Sequence, residues 1–145
     1  MRRFFAYLLL ILPSLALDQS QHFTQTLRRA EVGKRLIKKS HDSQSEQIYL
    51  GSIMNSEGEI LYHVIRECVT FLASTQIRKR SRIIFFDQQQ HQVAEYRVGL
   101  PEELPFKLSN NTLYFRNKGT AHQEVLGSEL QETLCVSAEE CYWKE

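Results

Sequence analysis

The chain has 145 residues, with 18 Lys/Arg against 17 Asp/Glu and three cysteines. That length suits one hydrophobic core, and the near-neutral total argues against a general binder of nucleic acid or of membrane surfaces. The charge is unevenly spread, six basic residues against three acidic ones over 18–42 and four against eight over 101–145.

Residues 1–16 read as a cleavable signal peptide. Arg2 and Arg3 precede an uncharged run of 14 residues, Phe4 to Leu17, and cleavage after Ala16 puts Ser14 and Ala16 at the −3 and −1 positions. Pro13 keeps the cleavage segment extended. A membrane-spanning helix needs about 20 apolar residues, more than this run supplies. The expectation is an exported protein, periplasmic or extracellular, whose residues 17–145 form a single domain with no transmembrane segment.

Residues 20–39 carry Phe23, Leu27, Ala30 and Ile37 near one helical face, with cations crowding the rest. This predicts an N-terminal helix, weakened at Gly33. From Gln47 the pattern changes to strands: Ile48–Ile53, a turn at Asn55–Gly58, then Glu59–Leu72. That last segment would also make a helical stripe, but its β-branched and aromatic content favours a long strand. Further strands are expected at 82–86, 93–98 and 112–116. In the tail, Val125, Leu126, Leu130 and Leu134 predict a short helix, with Ser128/Gln131 and Ser137/Glu140 as capping pairs. The fold so read is α+β, an antiparallel meander between an N-terminal helix and a C-terminal helical tail, with a β-sandwich as the alternative.

Cys135 and Cys141, six positions apart, are the expected disulfide in an oxidising compartment, leaving Cys68 as a thiol in an apolar segment. A pairing of Cys68 with one tail cysteine is the rival.

Nothing in the sequence carries a catalytic, metal or cofactor signature. Histidines 22, 41, 63, 91 and 122 are scattered, no Gly-rich phosphate loop occurs, and Gly51-Ser52 lacks a nucleophile elbow. No cofactor and no enzyme activity are therefore expected. Two features point to binding. Arg78, Lys79, Arg80 and Arg82 place four cations within five residues, expected in an exposed hairpin connection, where they would meet phosphate, a sulfated sugar or an anionic lipid surface. Within the proline-bounded segment Leu100–Phe106, Leu104 and Phe106 would either face a protein partner or fold back over the core. Asn110-Asn111-Thr112 matches the acceptor pattern for N-glycosylation. The function expected is that of an exported, envelope-associated, non-enzymatic binding or structural domain, with an unidentified protein or an anionic surface as partner. A secreted factor acting on another cell and a hydrolase are the alternatives.

Overall fold

The computed structural model describes residues 25–29, 31–72 and 75–145. The signal-peptide segment and the first residues of the expected helix lie outside them. Ten strands follow: β1 (Arg35–Lys39), β2 (Ser43–Met54), β3 (Ile60–Phe71), β4 (Arg78–Phe86), β5 (Gln92–Val98), β6 (Lys107–Ser109), β7 (Thr112–Asn117), β8 (Thr120–Val125), β9 (Thr133–Cys135) and β10 (Cys141–Trp143). They form three antiparallel sheets, β1-β2-β3-β4-β5, β6-β7-β8 and β10-β9.

The α+β expectation is overturned, and the β-sandwich alternative is the one this architecture fits. Only a single helical turn at 25–28 and a 3-10 turn at Pro101–Glu103 depart from strand and loop among the described residues. The expected N-terminal helix fails at Gly33, which takes φ +80° and donates its N–H to the Tyr49 carbonyl at 2.9 Å. Beyond it Arg35–Lys39 pairs with β2 as an edge strand, and ladder hydrogen bonds override the helical spacing of its residues. The expected C-terminal helix is absent too. Its backbone is held from outside: Tyr62 donates its hydroxyl to the Ser128 carbonyl, and Tyr96 donates to the Gln131 carbonyl. Leu134 enters the core from β9 instead.

The strand expectations hold, with ends displaced by several residues. The long segment after the turn is β3, as its composition argued. The β2–β3 turn is built by Asn55, whose side-chain oxygen accepts from the Glu57 and Glu59 N–H groups at 2.9 Å each, and by Gly58 at φ +83°. In β2 the register shifts between Tyr49 and Gly51, so that Leu50 and Gly51 together oppose Val64. Gly51 sits at φ +127°, a conformation that a side chain would strain.

Strand alternation gives the large sheet two faces. One presents Ile53, Val64, Ile83, Phe85 and Tyr96, buried against Leu113 and Phe115 of β7 and Leu134 and Val136 of the tail. Phe85 packs edge-on against Tyr96, with centroids 5.6 Å apart. The opposite face has a smaller apolar cluster, Tyr49, Ile65, Ile84 and Phe86, under Leu27 of the helical turn. Beside that cluster the face turns polar. The last residues run along β5, where Glu145 and Glu95 exchange both backbone hydrogen bonds.

Candidate functional site

The polar half of the second face begins with a buried charge network. Arg82 donates its Nε to Glu67 and its Nη1 to Glu95 at 2.9 Å, and all three side chains are at least nine-tenths buried. Gln47 donates to Glu67 at 2.9 Å, Ser45 at 3.3 Å, and Thr26 donates to Gln47 at 2.5 Å. Glu95 also accepts from Gln92 and Arg97, each at 3.0 Å. Burial pushes the Glu95 carboxyl up, but Arg82 and then the Arg97 and Gln92 hydrogen bonds outweigh it and hold the group below the ordinary carboxylate range.

Next to this network a groove of about 330 Å³ opens towards the end of the sheet that carries the β1–β2 and β3–β4 connections. Lys38, Lys39, Ser40 and Ser43 form one wall, Glu67, Val69 and Phe71 the floor, and Arg80 and Arg82 the other wall. The Arg80 guanidinium carbon stands 5.8 Å from the Phe71 ring centroid. Its Nε is buried and has no hydrogen-bond partner among the described residues. No salt bridge joins Lys39 or Arg80 to a carboxylate among those residues.

The four clustered cations thus lie in β4 and not in a hairpin connection. Alternation divides them: Arg78, Arg80 and Arg82 fall on the groove face, and Lys79 on the other, beside Thr70 and Cys68. Arg82 is engaged by two carboxylates, whereas Arg80 faces the groove. The proline-bounded pair also separates. Leu104 is buried in the core, while Phe106 is exposed and lies between Tyr114 and the Arg116 guanidinium.

Cys135 and Cys141 face each other across β9 and β10 with their sulfurs 2.00 Å apart, at disulfide distance, and Cys68 is a half-buried thiol. Ser137 accepts from the Glu140 N–H at 3.1 Å, so the capping pair expected of a helix instead closes the turn between these strands. Asn110 is exposed at φ +49° in the β6–β7 turn; Asn111 beside it clamps the Met54 backbone.

One constellation was missed. The β2–β3 register sets Ser52 opposite His63, so that His63 Nδ1 lies 3.2 Å from Ser52 Oγ and 3.0 Å from Tyr49 Oη, and those two hydroxyls are 2.7 Å apart. Burial lowers the His63 pKa, and Asp87 opposes that shift. Counting outward from the turn does not find it: Met54 pairs with Ile60, and only the register shift between Ile53 and Met54 brings Ser52 opposite His63. Two histidines also touch carboxylates at 3.4 Å, His91 with Asp87 and His122 with Glu124. No histidine lines the groove. Among the described residues no cluster of His, Cys, Asp and Glu could hold a metal ion, and no helix is long and apolar enough to cross a membrane.

No protein-family model, curated protein or solved structure matches the chain.

Proposed function

We propose that the chain is an exported binding domain whose groove beside β4 receives an anionic group, with Arg80 as its principal contact. The observation that carries this reading is the Arg80 Nε–H, buried in the groove wall without a partner among the described residues. A buried donor left unpaired is destabilising by about 1–3 kcal/mol, so its retention calls for a ligand that satisfies it. Arg80 offers a planar fork suited to phosphate, sulfate or carboxylate, held over Phe71. Ser40 and Ser43 add hydroxyls along the wall. The one acid on the floor, Glu67, is paired with Arg82, which it shares with Glu95.

The test is titration of the protein with glycerol 3-phosphate, followed by the NMR signal of the Arg80 Nε–H. The expected result is a saturable shift of that signal, competed by sulfate and absent with neutral glycerol. An Arg80 signal that stays unmoved at millimolar glycerol 3-phosphate and equally at millimolar sulfate refutes the assignment.

A further inference from the structure

Beside the groove, at the same end of the sheet, the chain exposes apolar side chains that have little cover among the described residues. Phe71 closes β3, Leu72 follows it, and Ile77 precedes β4; they are 37%, 54% and 72% exposed. Leu72 is tied to the neighbouring β1–β2 turn through its N–H, which donates to the Asp42 carbonyl at 2.7 Å. Leu72 and Ile77 thus lie at the same end of the sheet as the β1–β2 turn. Around them stand Lys39 from β1 and Arg78, Lys79 and Arg80 from β4, four cations, with Asp42 in the turn. The near-neutral total charge conceals this local excess.

We infer that this end docks on an anionic lipid bilayer. Leu72 and Ile77, with Phe71 behind them, enter the interfacial region, and the surrounding cations meet headgroup phosphates, one of which Arg80 takes in the groove. This deepens the reading of the groove as an anion site and rests on it. Exposed apolar side chains rimmed by cations match a surface whose apolar interior lies just beneath a layer of phosphates. Cations near such a surface each add attraction that falls away within a Debye length. An acidic polysaccharide or an acidic protein would engage the cations and leave Leu72 and Ile77 in water.

The experiment uses the protein as recovered from an exporting host, mixed with vesicles of phosphatidylcholine alone or with about one third phosphatidylglycerol, a composition in which the anionic surface potential is well developed. Sedimentation is expected with the anionic vesicles and not with the neutral ones, and high salt is expected to weaken it. L72E/I77E is expected to lower vesicle affinity at least tenfold while leaving the glycerol 3-phosphate shift at Arg80 intact. Both proteins are processed alike at the N-terminus, so any membrane affinity of that segment cancels in the comparison. L72W supplies an independent readout, a blue-shifted emission quenched by brominated lipid. If glycerol 3-phosphate moves Arg80 but L72E/I77E binds anionic vesicles as well as the unsubstituted protein, or the L72W emission is not quenched, the bilayer inference falls and the groove reading stands. Binding to heparin that L72E/I77E leaves unchanged, without vesicle binding, assigns the basic end to a polysaccharide and overturns the inference. If neither vesicles nor glycerol 3-phosphate engage, both readings fall together.

Discussion

Substituting Arg82 by Met tests whether the buried network is what holds the second face together. The guanidinium sits between Glu67 and Glu95, and all three side chains are at least nine-tenths buried. Removing one member of a buried charged set leaves its partners uncompensated, typically at a loss of about 3–5 kcal/mol. Here two carboxylates lose one cation, but neither is stripped bare. Glu67 keeps Gln47 and Ser45, and Glu95 keeps Arg97 and Gln92. The lower half of that range, about 3–4 kcal/mol, is therefore expected for R82M. At an unfolding entropy of about 2.1 cal/mol/K per residue, this corresponds to a fall in Tm of roughly 12–16 °C for a domain of this length. The pH dependence adds a sign. Glu95 is held below its ordinary value of 4.5, so its contribution is complete above that value and is lost as pH falls through the lower folded one. In R82M the main downward pull on Glu95 is gone and burial raises its carboxyl, so its protonation favours the folded state. The deficit relative to the unsubstituted protein should narrow between about pH 7 and pH 5. Urea unfolding followed by circular dichroism at the two pH values measures both effects. Replacing all three members, as E67Q/R82M/E95Q, should recover most of the loss. A loss below about 1 kcal/mol at neutral pH, or a deficit that widens on acidification, would refute the reasoning.

Three further outcomes follow from the same geometry. Cys135 and Cys141 close a seven-residue loop, for which the chain-entropy relation gives about 2 kcal/mol; C135S/C141S should lose that much in denaturant, and the unsubstituted protein should lose the same on reduction. His63 should titrate below its ordinary 6.5, because burial disfavours its charged form more than Asp87 favours it. Its protonation then favours the unfolded chain, so stability falls as pH drops below about 6.5, and H63Q should flatten that part of the curve; an NMR titration midpoint above 6.5 would contradict this. Asn111 both accepts from the Met54 N–H at 2.9 Å and donates to its carbonyl at 2.6 Å, from a backbone at φ +55°. N111A should destabilise by about 2–4 kcal/mol and N111G by about 1–2, the difference being the cost of a left-handed backbone with a Cβ.

The strands were legible where alternation met good turns. Asn55–Gly58 announced a hairpin, and β3 was recovered despite its helical stripe because Ile, Val and aromatic residues dominate it. The expected helices failed for one shared reason. Spacing of three to four is necessary for an amphipathic helix, but it does not exclude a strand whose partner lies elsewhere in the chain. Leu36 and Lys38 share the second face only because β2 is there to pair with them, and Leu134 is buried only because β9 is fixed across from β10. Both partners are the next strand of a hairpin, reached through residues 40–42 and 136–140, and the helical spacing of the apolar residues masked both turns. The site was half legible for a different reason. The cations were visible as a run, while Phe71, Lys39 and the serines that complete the groove come from other strands.

A run of like charges along a chain is a patch in space only if the backbone bends. Arg78, Lys79, Arg80 and Arg82 lie in an extended strand, so alternation sends Lys79 to one face and the three arginines to the other. Among the arginines, position along the strand decides the role. Arg82 lies opposite Glu67 in β3, with Glu95 one strand further on, and the two carboxylates satisfy it within the fold. Arg80 lies opposite Val69, one step nearer the sheet's end, where no carboxylate pairs with it among the described residues. The first arginine therefore lowers the free energy of the folded state, and the second retains hydrogen-bonding capacity for a partner. The two roles are coupled through Glu67. With Arg82 in place its charge is cancelled and an anion entering the groove meets Arg80 and the lysines. Without Arg82 the floor becomes negative. R82M should accordingly weaken glycerol 3-phosphate binding although Arg80 is untouched, and R82M/E67Q should restore it. Equal affinity in R82M and the unsubstituted protein would show that the charge of Glu67 does not reach the groove.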